Sequence, residues 1–200
     1  MTVLVTGGAG YIGSHMVLAL LDAGEAVVVL DNLSTGFAWV LPPEVPLVTG
    51  DMGDGDLVAR TVREHGVNAI AHFAAKIVVP ESVADPLGYY LNNTVKSRAL
   101  IEAAVRSGVR HFIFSSTAAV YGEPATVPVP EDLPLDPVSP YGRSKLMTEW
   151  MLQDTARAGR FSARITRPRT GPACAIIARS ATLPTPTSSP SSICAAAATA

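Results

Sequence analysis

A β-branched run, Thr2-Val3-Leu4-Val5-Thr6, stops on Gly7-Gly8-Ala9-Gly10-Tyr11-Ile12-Gly13 and gives way at once to a helical pattern. Apolar positions at Ile12, Met16, Leu20 and Ala23, closed by Gly24, suit a helix over 11–23 with a glycine stop. A strand feeding a helix through a glycine turn is half of a parallel β-α-β unit, and the alternation repeats along the chain. Strands are predicted at 26–30, 46–48, 69–73 and 110–115, with a helix at 55–65 stopped by Gly66. Asp85-Pro86 reads as an N-cap followed by proline at the first helical position, opening one long helix that ends at Ser107-Gly108. Residues 123–140 hold six prolines and are expected to be loop, followed by an amphipathic helix over 141–158. The order predicts an α/β fold with a doubly wound parallel sheet of Rossmann-like type.

Averages over the 200 residues conceal a break. All 17 acidic residues lie between Asp22 and Asp154 with nine of the 15 basic ones, so residues 1–154 carry −8 and residues 155–200 carry +6. Ala, Ser, Thr and Pro fill 27 of the 40 positions in 161–200. Two domains of different character are therefore expected: an ordered unit over 1–160 and an Arg-rich, disordered tail over 161–200. A net charge of −2 argues against general nucleic-acid or membrane-surface binding, and no apolar run reaches membrane-spanning length. The N-terminus lacks the basic and apolar regions of a signal peptide, so a soluble, cytoplasmic chain is expected. Cys174 and Cys194 make neither a disulfide framework nor a ligand pattern, and the four histidines show no metal spacing; no metal is expected.

Three features carry chemistry. The first is the glycine turn, where Gly7 permits the tight turn, Gly10 lets backbone approach a pyrophosphate, and Gly13 permits close packing of the helix. Its spacing is three and three rather than the commoner two and three, and a turn needs no ligand. The strand before it and the helix after it favour dinucleotide binding, because that helix offers free N–H groups and a positive dipole end to phosphates. The second is Asp31, 18 residues beyond Gly13 at the end of the second strand. A carboxylate there accepts the adenosine ribose hydroxyls of NAD and repels the 2′-phosphate of NADP; a solvated loop aspartate is the plainer reading. The third is Tyr141-Gly142-Arg143-Ser144-Lys145, in which phenol and ammonium share one helix face. Lys145 and a positively charged nicotinamide would lower the pKa of Tyr141 toward that of a usable base. Thr117, at the end of Ser115-Ser116-Thr117, is placed to hydrogen-bond a substrate oxygen beside Tyr141.

These motifs, together with Asp31-Asn32-Leu33, Gly50-Asp51-Met52, His72-Phe73-Ala74-Ala75, Tyr89-Tyr90-Leu91-Asn92-Asn93, Phe114–Gly122 and Ser139-Pro140, fall in the order of the extended short-chain dehydrogenases/reductases. Within that family the chain resembles the UDP-sugar 4-epimerases more than the sugar dehydratases, through Asp-Asn-Leu, Glu81-Ser82-Val83 and Ser144-Lys145-Leu146-Met147. The resemblance spans about 1–158. It implies an NAD-dependent isomerase that interconverts UDP-glucose and UDP-galactose through a 4-keto sugar. Thr117, Tyr141 and Lys145 would be catalytic, with Tyr141 taking the proton of the 4-hydroxyl and Lys145 binding the nicotinamide ribose. Gly7, Gly10, Tyr11, Ile12 and Gly13 would lie at the pyrophosphate, Asp31, Asn32, Leu33 and Ser34 at the adenosine ribose, and Asp51 and Met52 at the adenine. Phe73, Ala74, Ala75, Lys76 and Ile77 would line the cofactor, with Asn93 near the ribose. Some members carry a cofactor-binding lysine where this chain has Ile77; here the lysine is Lys76. Full-length members imply a homodimer.

The chain departs from the family after the Tyr141 helix. The sixth strand is replaced by Arg160-Phe161-Ser162-Ala163-Arg164-Ile165-Thr166-Arg167-Pro168, and nothing resembling a substrate domain follows. A frame disruption or displaced gene end is the expected cause, a compromised sheet edge the expected consequence, and a chain without epimerase activity the expected result. Two alternatives stay open: another extended nucleotide-sugar epimerase or dehydratase, and a non-catalytic dinucleotide-binding sensor. The Tyr141/Lys145 pair argues against the sensor, since binding alone does not need it.

Overall fold

A computed structural model describes residues 1–125 and 128–167. Six strands, β1 (Thr2–Thr6), β2 (Ala26–Asp31), β3 (Leu47–Thr49), β4 (Ala69–His72), β5 (His111–Ser115) and β6 (Ser162–Thr166), form one sheet in the order β3-β2-β1-β4-β5-β6. Every neighbouring pair is parallel. Helices α1 (Tyr11–Asp22), α2 (Gly55–His65), α3 (Val79–Ala84), α4 (Pro86–Tyr89), α5 (Lys96–Arg106) and α6 (Pro140–Arg157) connect them.

Side-chain alternation along the strands builds two cores. Leu4, Val28, Leu30, Ile70, Phe112 and Phe114 point to the face covered by Val58 of α2, Leu100 of α5 and Leu152 of α6. Val3, Val5, Val27, Val29, Ala69 and Ala71 point to the other face, where Val17 of α1 packs. From β1 the chain winds outward to β2 and β3, then crosses back to β4 on the other side of β1. The carboxyl ends of β1 and β4 therefore flank the crevice where this topology reverses and where open α/β sheets bind ligands.

Two expectations need correction. The helix predicted to run from 86 without interruption is α4, then a π-helical stretch over Tyr90–Val95, then α5. The wider turn is tied to α6: Thr148 Oγ1 donates to Asn93 O at 3.2 Å, and Thr94 Oγ1 donates to Ser144 O at 3.3 Å. One α6 hydroxyl thus bonds a carbonyl of the segment in which the regular ladder is disturbed, and one hydroxyl of that segment bonds an α6 carbonyl. The sixth strand position is not compromised either. β6 pairs with β5 over five residues, from His111↔Ser162 to Ser115↔Thr166, and Phe161 stacks on Phe112 with ring centroids 5.6 Å apart. Ala163 and Ile165 pack against the first core, so the composition of the segment did not prevent a half-buried edge strand. The ordered sheet runs past the boundary expected at 160, and residues 168–200 of the expected tail lie outside the described residues. Among the described residues no helix is long and apolar enough to cross a membrane.

Candidate functional site

The glycine turn leaves β1 at the crevice. Gly7 has φ of 74°, and a Cβ there would come within 2.5 Å of Ala74 N, so the end of β4 and the turn interlock only without a side chain. A Cβ on Gly13 would fall 2.1 Å from Gly7 O, which makes the close approach one of helix on turn. Gly10 differs, since its Cβ would meet only Gly7 O at 3.3 Å. The first turn of α1 has no side-chain cap and no acidic residue, leaving its first N–H groups without a side-chain acceptor. Tyr11 and Ile12 are both exposed at this end. This cradle could hold a pyrophosphate.

Asp31 ends β2 beside it. Its Oδ2 accepts from Ala9 N at 2.9 Å and its Oδ1 from Leu33 N at 2.8 Å, so the carboxylate ties the turn to the loop after β2. Each oxygen keeps a second lone-pair direction for a ligand hydroxyl. Leu33 is the sole non-glycine residue with positive φ (57°) among the described residues, and Asn32 Oδ1 accepts from Ser34 N at 3.0 Å. A backbone held in that region next to Asp31 is a local cost of shaping this rim. Asp51 accepts from Gly53 N at 2.8 Å and pairs with Lys96. Burial raises its pKa, but the Lys96 and Gly53 contacts outweigh it and hold the carboxyl below its ordinary value. Met52 is packed in the first core with its side chain buried.

Next to the start of α1 a cavity of about 230 Å³ is lined by Ile12, Phe73, Ile77, Ser115, Ser116, Thr117, Tyr141 and Lys145. The structure therefore brings the start of α1, the loop after β4, the end of β5 and the face of α6 to one place. Ser139 caps α6 by accepting from Gly142 N at 3.1 Å, which sets Tyr141 and Lys145 on the first turns. Lys145 Nζ is buried, donates to Ser115 O at 3.0 Å and lies 4.8 Å over the Phe114 ring. Burial lowers its pKa to about 8, against an opposing pull from Glu149. The expected lowering of Tyr141 by Lys145 is not found. Burial pushes the phenol above its ordinary value, offset only in part by the neighbouring Thr117 hydroxyl, and Lys145 Nζ is turned to Ser115 O at the end of β5.

Phe73 and Ala74 hold the loop after β4 against the glycine turn, their N–H groups donating to Thr6 O at 2.9 and 3.1 Å. Asn93 is buried and its amide is fully used: Oδ1 accepts from Lys76 N at 2.9 Å, and Nδ2 donates to Lys76 O at 2.9 Å and Ser144 Oγ at 3.1 Å. It braces the cavity wall. The Lys76 side chain leaves that wall and lies 5.5 Å over the Tyr89 ring, while Ile77 faces the cavity. Sequence reasoning missed Glu149, buried one turn beyond Lys145, and Lys96; an isolated acid or lysine on a helix carries no sign of its burial or partner.

The model of the NAD dependent epimerase/dehydratase family matches residues 3–171. The chain belongs to this family. It is 56% identical over 156 residues to a UDP-glucose 4-epimerase of Azospirillum brasilense, covering 78% of this chain and 45% of that protein. A UDP-glucose 4-epimerase of Brucella ovis solved in complex with NAD is similar at a TM-score of 0.80 and 41% identity, covering 83% of this chain and 51% of that one. A dTDP-glucose 4,6-dehydratase of Streptomyces venezuelae is similar at a TM-score of 0.77 and 37% identity, over 84% of this chain and 55% of that one. The chain spans about half the length of the curated relatives it matches.

Proposed function

We propose that this chain is the cofactor-binding part of an NAD-dependent UDP-hexose 4-epimerase that interconverts UDP-glucose and UDP-galactose. The observation that carries the reading is the single cavity shared by Ile12, Phe73, Thr117, Tyr141 and Lys145 at the switch point of the sheet. Gly7, Gly10 and Gly13 with the start of α1 hold the pyrophosphate, and Asp31 takes the adenosine ribose. Bound there, NAD supplies the acceptor and donor of the sugar C4 hydride. Tyr141 takes the proton of the 4-hydroxyl and returns it, Thr117 hydrogen-bonds the same oxygen, and Lys145 supplies positive charge beside the reacting groups. The deciding experiment joins residues 1–158 to the remaining C-terminal part of the Azospirillum brasilense epimerase. The chimera should bind NAD and convert UDP-galactose to UDP-glucose. A folded, NAD-loaded chimera without turnover would sink the epimerase reading.

A second copy of this chain is the proposed partner. Leu87, Leu91, Met147 and Trp150 are exposed on segments that pack side by side. Next to them a groove of about 530 Å³ between α5 and α6 is flanked by Arg98, Glu102, Arg106, Asp154 and Arg160. A face carrying both charge signs around apolar residues suits its own two-fold mate. Sedimentation of the Leu91→Glu/Trp150→Glu variant should show monomer where the unaltered chain is dimeric; equal mass for both would reject this surface.

A further inference from the structure

We propose that Glu149 is a positioning residue of this site, anchoring Ser116 and with it the strand end that carries Thr117, and serving as the counter-charge beneath Lys145. Tyr141, Lys145 and Glu149 stand at successive four-residue steps on one face of α6. They face consecutive residues at the end of β5. Lys145 Nζ donates to Ser115 O at 3.0 Å, Glu149 accepts from Ser116 Oγ, and Tyr141 lines one cavity with Thr117.

Glu149 has 0% exposure, and a carboxylate so placed must be fully partnered to be tolerated. Arg167, immediately after β6, supplies the other partner: Nε donates to both carboxylate oxygens at 2.9 and 3.0 Å, and Nη2 also pairs. A purely structural ion pair would need only Arg167. The Ser116 bond fixes the residue between Ser115, which Lys145 holds, and Thr117, which lines the cavity beside Tyr141, so its loss loosens this strand end. The charged and titratable groups around Lys145 and Glu149 are Tyr141 on α6 and buried His72 on β4 beside Lys145, and Arg167 after β6, itself over the Tyr121 ring, beside Glu149. Burial drives the Lys145 pKa down, and the Glu149 carboxylate, one turn further along α6, opposes that fall.

The inference rests on the roles proposed above for Lys145 and Thr117, yet it can be judged on the 200-residue chain without turnover. Lys76, Lys96 and Lys145 are its three lysines, so isotope-labelled lysine gives one resolvable titration each by NMR. Glu149→Gln should lower the Lys145 midpoint by about one pH unit, leave Lys76 and Lys96 unmoved, and weaken NAD binding about tenfold; Glu149→Asp should recover part of both. Ser116→Ala keeps both charges, so it should spare the Lys145 midpoint while shifting the Thr117 amide resonance and weakening NAD. An unmoved Lys145 midpoint in folded Glu149→Gln would overturn the counter-charge. If that variant does not fold, an unshifted Thr117 amide with unchanged NAD affinity in Ser116→Ala would overturn the anchor. An unaltered chain that fails to bind NAD would sink the proposed function instead, with the lysine titration still deciding Glu149.

Discussion

Asp31 Oδ2 accepts the backbone N–H of Ala9 at 2.9 Å, binding the end of β2 to the middle of the glycine turn. In the proposed function the carboxylate would shape the pyrophosphate cradle as well as offer an acceptor to a ribose. Asp31→Ser should lose both functions and remove the charge that repels a 2′-phosphate. A hydrogen bond to a charged group contributes about 1.5–3 kcal/mol, so NAD affinity should fall about 10- to 100-fold. NADP affinity should fall less or rise, narrowing the preference. Calorimetric titration of both cofactors into the 200-residue chain checks this; equal affinity in the unaltered chain would refute the role of Asp31.

Tyr141→Phe removes one hydroxyl from the 230 Å³ cavity and leaves the glycine turn, Asp31 and Lys145 in place. In the active chimera it should keep NAD affinity within about twofold and lose about 10²- to 10⁴-fold in kcat. Turnover within tenfold of the parent would assign the proton transfer to another group.

The glycine turn, Asp31 and the Tyr141/Lys145 pair were legible because each depends on local order: a strand end, a turn and one helix face. What was not legible depends on distant partners. The π-helical stretch at Tyr90–Val95 looks like ordinary helix in sequence, since the Ser144 carbonyl and Thr148 hydroxyl that bond it lie about fifty residues away. Strand β6 reads as a polar segment with Arg164 at its centre. It pairs because the edge of β5 offers a full register and Phe112 receives Phe161. Nor does the sequence show that the Asn93 amide bonds Lys76 and Ser144, or that the Met52 side chain lies in the core.

His72 gives the fold a specific acid sensitivity. Its Nδ1 is 2.7 Å from Thr6 Oγ1 and its Nε2 is 2.9 Å from Ser97 Oγ, joining β1, β4 and α5. Burial, reinforced by Lys145, pushes its pKa down from 6.5 to about 3. Between those values the unfolded chain binds a proton that the folded chain refuses, so stability falls as pH falls through this window. One such group contributes a slope of at most about 1.4 kcal/mol per pH unit. His72→Gln should be less stable at pH 7 by about 1–3 kcal/mol, with the deficit shrinking at pH 5. Urea unfolding at several pH values measures it, and a constant deficit would show that His72 does not titrate differently in the two states.

Thr166 closes β6 with its side chain fully buried, and its Oγ1 has no hydrogen-bond partner among the described residues. Its backbone is well used, because Thr166 O accepts from Ser116 N at 2.8 Å and holds β6 to the end of β5. The hydroxyl therefore carries a desolvation cost with no compensating bond, while the methyl and the main chain do the packing. Thr166→Val keeps the shape and the β-branched stiffness that favours a strand, and deletes only the unpaired group. The variant should be more stable by about 1 kcal/mol, seen as a rise of about 2–4 °C in Tm. Because the Ser116 contact is a backbone bond, NAD affinity should stay unchanged. A variant of equal or lower stability would mean that the hydroxyl is satisfied in solution. A changed NAD affinity would mean that β6 reports to the cavity through more than this one bond.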